Sequence, residues 1–238
     1  MSNENDENIN CVDAKVVFIG ETGVGKTSLI RQYINHTFDE NCTSSISSQF
    51  CSKIIKIPNE KQSIRFDIWD TAGQEKYRSL AKIFYKDAQI IIFVYDVTTR
   101  SSFEGLQQYW YEEVREYCNT KPILALVANK YDLYNNNAIE DKEAKEWAEK
   151  IGAIFQWTSA KTNLGVNLLF ENTGKKLLNP KFNYKKKDDQ DKLLYEMKKK
   201  ENKKNNDEEI DDIARNLPKK NVKLRKNSQA IPKKKKCC

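Results

Sequence analysis

Gly20 to Thr27 reads GETGVGKT, a spacing in which small residues let successive main-chain N–H groups turn inward around phosphates while Lys26 and Thr27 reach phosphate and metal. Asp70 to Gln74 (DTAGQ) adds a carboxylate suited to a magnesium shell, with Gly73 and Gln74 beside the terminal phosphate. Neither segment can tell one base from another. Asn129 to Asp132 (NKYD) and Thr158 to Lys161 (TSAK) supply that information. Guanine presents two donors, N1–H and the 2-amino group, and the single carboxylate of Asp132 can accept both; facing adenine it would be a desolvated charge without a partner. Asn129 is expected to brace the loops, the Lys130 stem to cover the base face, and the Ala160 N–H, between Ser159 and Lys161, to meet the guanine carbonyl oxygen.

These residues need elements to hold them. Ala14 to Ile19 (AKVVFI) is a β-branched and aromatic run of strand length, and Leu29, Ile30, Tyr33 and Ile34 follow at helical spacing. Strand, glycine-rich loop and helix is the context that phosphate binding requires. Ile64, Phe66 and Ile68 alternate ahead of Asp70, which places that carboxylate at a strand end. Strands are expected near residues 14–19, 49–57, 63–69, 89–95, 122–128 and 153–157, with a hairpin turn at Pro58 to Lys61. Helices alternate with most of them. The fold class is therefore α/β: a doubly wound, mostly parallel six-stranded sheet with one antiparallel edge strand, its carboxyl-end loops carrying every motif.

With all four motifs in order, the chain resembles a small GTPase of the Rab branch of the Ras superfamily, from about Val12 to Leu178. Phe50, Trp69 and Phe84 fall where that branch carries an effector-facing aromatic triad, Trp69 to Leu80 reads WDTAGQEKYRSL, and the terminal Cys237 and Cys238 resemble a double-prenylation signal. The resemblance implies a switch in vesicle and membrane traffic that recruits effectors when GTP-loaded and releases them after hydrolysis. Its GTP site would comprise Gly20, Thr22, Gly23, Val24, Gly25, Lys26, Thr27 and Ser28 on the phosphate side. Thr27, Ser45 and, through water, Asp70 would hold Mg²⁺, and Gln74 would orient the attacking water. Ser45 lies in the run Thr43 to Ser48, so the ligating hydroxyl could be shifted by a residue, or the run could be a polar loop without a metal role. Ser47 stands where most Rabs carry glycine. Phe38 fits either the aromatic against the base edge or a helix-end core residue. Turnover would be slow without a GTPase-activating protein (GAP), since no arginine in these loops is placed to act in cis. Other implied partners are a guanine nucleotide exchange factor, a GDP dissociation inhibitor, the prenylation machinery and effectors, met by a monomer.

Charge separates the chain into parts. From Lys181 onward there are 20 Lys or Arg and 10 Asp or Glu, a net of +10, so the preceding residues carry −3 of the whole-chain +7. The expected organisation is a flexible start at 1–11, a GTPase domain at 12–178 and a disordered polybasic tail at 179–238, with room for one short helix near Leu193 to Met197. Nine basic residues and no acid between Lys219 and Lys236 sit beside Cys237 and Cys238, and a lipid plus a basic patch anchors stably to an anionic surface. That favours the cytoplasmic face of an intracellular membrane over nucleic acid as the partner of the tail. The switch region has an endocytic look, suggesting an endosome. Cys11, Cys42, Cys51, Cys118 and the single histidine, His36, have no zinc spacing. Met1 to Asn10 lacks an apolar signal region and Ser2 replaces the glycine of a myristoylation site, so synthesis in a reducing cytosol is expected. Two rivals remain on the sequence alone: a GTP-bound scaffold with little hydrolysis, and a basic ATPase acting on nucleic acid, against which Asp132 argues.

Overall fold

The computed structural model describes residues 11–40, 49–71 and 83–184. Six strands form one sheet: β1 (Cys11–Ile19), β2 (Gln49–Lys56), β3 (Ser63–Asp70), β4 (Ile90–Asp96), β5 (Ile123–Asn129) and β6 (Ile154–Trp157), in the spatial order β2-β3-β1-β4-β5-β6. β2 runs antiparallel to β3 and the other neighbours are parallel. Central β4, IIIFVYD, is buried along its whole length, as a strand covered on both faces must be. Edge strand β2 instead alternates exposed with half-buried positions from Phe50 onward.

Five α-helices lie wholly within the described residues: α1 (Lys26–Asn35), α2 (Arg100–Gly105), α3 (Tyr111–Tyr117), α4 (Asp141–Ile151) and α5 (Val166–Leu178). A π-type turn, Leu106–Trp110, joins α2 to α3, and a 3-10 turn, Tyr131–Asn136, follows β5. Alternation along β1 sends Val16 and Phe18 to one face with Ile64, Phe66 and Ile68 of β3, where Tyr33 of α1 stacks on Phe170 of α5 at 3.5 Å between ring centroids. On the opposite face Phe93 and Tyr95 meet Phe103 and Trp147. Two packed layers of helices thus clamp the sheet, and burying the larger of these side chains contributes about 1.5–3 kcal/mol each.

β1 begins at Cys11, three residues before the expected start at Ala14 and inside the segment expected to be flexible. The added residues are not an apolar run. Their pairing is cross-strand: Cys11 to Asp13 lie opposite Ser63 to Arg65, and Arg65 Nη2 sits 2.8 Å from the Asp13 carboxylate.

Candidate functional site

The loop after β1 is shaped by backbone geometry. Gly25 adopts φ +95°, a left-handed conformation that L side chains rarely take, and a Cβ there would stand 2.4 Å from Asn129 Nδ2. The chain then enters α1 at Lys26 with no acidic residue in the first turn and no side-chain cap. The first-turn N–H groups and the positive end of the helix dipole are left for an anion.

Lys26 is buried beneath this loop, its Nζ donating to the main-chain carbonyls of Gly20 at 2.7 Å and Glu21 at 2.9 Å. Burial lowers its pKa from 10.5 to about 8, against the opposing pull of the Asp70 and Glu21 carboxylates. Asp70, at the end of β3, is raised by burial, only partly offset by the hydrogen bond from Thr27 Oγ1 at 2.5 Å and by Lys26. Each charge is short of counter-charge. The other oxygen, Asp70 Oδ1, is buried without a hydrogen-bond partner among the described residues. A hydroxyl and a carboxylate with one oxygen to spare form a hard-oxygen set that fits a magnesium ion. Thr71 Oγ1 donates to the Phe18 carbonyl at 2.6 Å and fixes the strand end against β1.

Two further strand ends bring in the base-side residues. Asn129, the last residue of β5, is 1% exposed; its Nδ2 donates to the Val24 carbonyl at 2.8 Å and its Oδ1 accepts from Thr158 Oγ1 at 3.0 Å. Asp132 Oδ1 accepts from Ser159 Oγ at 2.6 Å, which orients the carboxylate. Lys130 has φ +61°, and its Nζ pairs with Asp96 at the end of β4 at 2.7 Å. Lys130 lines the pocket while its charged head is tied down, a partner that the sequence reading missed.

These elements enclose a pocket of about 300 Å³ whose lining includes Gly23, Gly25, Ser28, Phe38, Asp132 and Ala160. Phe38 belongs to the pocket wall and is 38% exposed. Thr22 lies at the exposed tip of the loop, while Gly20 and Val24 are buried beneath it. Asp39 and Glu40 also reach the wall, and Glu40 pairs with Lys161 at 2.5 Å across it. Neither acid was marked by the sequence, because nothing in the run after Phe38 distinguishes a wall residue from a solvated loop. Ser45, Gly73 and Gln74 lie outside the described residues, as do Cys237 and Cys238.

Away from the pocket, the three expected surface aromatics come together. Phe50 and Trp69 have ring centroids 5.0 Å apart, and Trp69 and Phe84 5.3 Å. Phe50 is 55% exposed.

The Ras family profile matches residues 15–179. The chain is a member of the Ras family. Among curated proteins it is similar to Ras-related protein Rab-2B of Dictyostelium discoideum, 41% identical over 69% of this chain and 80% of the relative. Rab5A of Oryza sativa subsp. japonica is 39% identical over 70% and 80%, and human Rab-22A is 37% identical over 66% and 80%. Within the family it is therefore a Rab-branch protein, a GTP-binding GTPase of membrane traffic. Among the described residues no helix is long and apolar enough to cross a membrane.

Proposed function

We propose that this Rab-branch GTPase holds its nucleotide in the pocket between the Gly20–Thr27 loop, Asn129–Asp132 and Ser159–Lys161, with GTP hydrolysed slowly until a GAP supplies an arginine. The observation that carries the reading is the Asn129 side chain, which joins Val24 of the phosphate-side loop to Thr158 of the base-side loop and so aims both at one cavity. The α1 N-terminus and Lys26 bind the β and γ phosphates. Asp132 accepts the guanine N1–H and amino protons, with Ser159 setting its rotation, and the Ala160 N–H donates to the guanine carbonyl. Phe38 covers the base edge. Gln74 holds the attacking water in line. Thr27, Ser45 and, through water, Asp70 would hold Mg²⁺, which when bound would supply neutralising charge at the β and γ phosphates. Because phosphoryl transfer leaves little covalent work to the protein, positioning and charge stabilisation carry nearly all the rate, and the GAP arginine is worth roughly 10³ to 10⁵.

The surface formed by Phe50, Trp69 and Phe84 is where effectors would read the GTP state. Regulators would include an exchange factor, a GAP and a GDP dissociation inhibitor acting on a monomer. Prenylation of Cys237 and Cys238 beside the basic run would hold the protein on the cytoplasmic face of an intracellular membrane, with a cytosolic pool; the endocytic look of the switch region points to endosomes.

Single-turnover hydrolysis of GTP in magnesium, comparing native protein with Gln74→Leu and with ATP as control, tests the reading. Slow GTP loss that the variant slows further, with no ATP binding, supports it. No loss in either protein would replace it with a GTP-bound scaffold.

A further inference from the structure

The π-type turn between α2 and α3 is not used by the site as described, yet it reaches the phosphate-binding loop. Trp110, its last residue, is fully buried, and its indole Nε1 donates to Glu21 Oε1 at 3.0 Å, a contact between residues 89 positions apart. Gly105, just before the turn, faces the same oxygen: a Cβ built on it would stand 2.9 Å from Glu21 Oε1. In an α-helix residues five apart point about 140° away from each other. The Leu106–Trp110 turn is closed by the Tyr111 N–H bonding the Leu106 carbonyl, an i→i+5 bond that brings residues five apart toward one side. The wide turn is thus what lets position 105, without a side chain, and position 110, with an indole, flank one carboxylate.

Glu21 then passes this restraint on. Its main-chain carbonyl accepts the Lys26 ammonium at 2.9 Å, so the residue gripped by Trp110 also aims the buried lysine. Trp110 is itself held from the other side. The Tyr109 ring meets it edge-on at 5.3 Å and 81°, the Tyr109 hydroxyl donates to Glu113 Oε1, and Tyr85 donates to Glu113 Oε2 at 3.2 Å.

We propose that Trp110 is a positioning residue for the phosphate-binding loop, acting through the Glu21 carboxylate to keep the Glu21 carbonyl on Lys26. The inference rests on placing the nucleotide phosphates at Gly20 to Thr27. Its consequence is slow nucleotide release by preorganisation: the lysine is set before the phosphates arrive and need not be reset.

Release of fluorescently labelled GDP in magnesium tests this in the full chain. Trp110→Phe removes the donor and is expected to speed release roughly 3- to 10-fold, the scale of one charge-assisted bond acting at one remove. In a Glu21→Ala background the same substitution should add nothing, which a merely structural role of the tryptophan would not produce. Gly105→Ala covers the case in which Trp110→Phe fails to fold. Gly105 has ordinary helical φ (−59°) and alanine is the better helix former, while the new methyl pushes the Glu21 carboxylate off the buried indole; the two effects on stability oppose each other, so release should quicken with only a small change in melting temperature. Preference for GDP over IDP should not change, because the base side is untouched.

Unchanged release in the folded variants, or a Trp110→Phe effect that persists undiminished without the Glu21 carboxylate, would overturn the inference. So would loss of GDP preference in step with faster release, which would mark general loosening. Native protein unable to retain GDP would sink the placement of the phosphates as well, a result distinct from the other three.

Discussion

Asn129 Nδ2 donates to the Val24 main-chain carbonyl at 2.8 Å, a single buried bond between a strand end and the loop 105 residues before it. Asn129→Ala leaves that carbonyl and the Thr158 hydroxyl without their partner in a buried setting, at about 1–3 kcal/mol. Denaturant unfolding of the GDP-bound protein should show a loss of that size, together with faster GDP release.

Gly25→Ala attacks the same bond from the other side. The substitution places a methyl where Asn129 Nδ2 stands and holds a non-glycine residue at φ +95°, a strain of order 1–3 kcal/mol. Because both changes break one contact, their effects should be less than additive, and unfolding of the double variant would reveal it.

Asp132→Asn keeps an oxygen for Ser159 Oγ but replaces a double acceptor with one acceptor and one donor. Guanine then loses a partner for one of its two protons, and xanthine, with an oxygen at position 2, gains one. Competition binding should show GDP weakened by roughly 10- to 100-fold and XDP strengthened, with melting of the nucleotide-free protein little altered.

Phe50→Ala and Phe66→Ala separate surface from core on neighbouring strands. Phe50 is 55% exposed, so its loss should move stability by about 0.5 kcal/mol or less while abolishing GTP-dependent binding of an effector. Phe66 is fully buried against Phe170, and its truncation should cost about 3–5 kcal/mol. Equal destabilisation by the two would show that the aromatic surface is part of the core.

How far the sequence could be read follows from the range of each interaction. β4 and β5 were legible because a run buried on both faces is continuously apolar, and the Gly20–Thr27 loop because its constraint lies within eight residues. Asp96 with Lys130, Glu40 with Lys161 and Trp110 with Glu21 are pairings across the fold, made by residues that individually look like solvated charge or ordinary core. The π-type turn left no trace either, since Leu106, Trp110 and Val114 keep a spacing that an unbroken α-helix would also show. The start of β1 at Cys11 escaped for a related reason: its extension is stabilised by the Asp13–Arg65 pair and not by apolar residues.

In the β2–β3 ladder Gln49 lies opposite Asp70 and Phe50 opposite Trp69. Successive residues of a strand point to opposite faces, so Asp70, buried beside Thr27 and Lys26, and Trp69, in the aromatic surface, face opposite ways from adjacent positions. Alternate letters of the same strand are therefore separately editable: descendants of this chain can acquire new partners by rewriting the outward set while the inward set stays as it is. The freedom has one limit. Substitutions respect the parity of the strand, whereas loss of a single residue within β3 would exchange the two faces, turning the buried set outward and the aromatic set inward in one step.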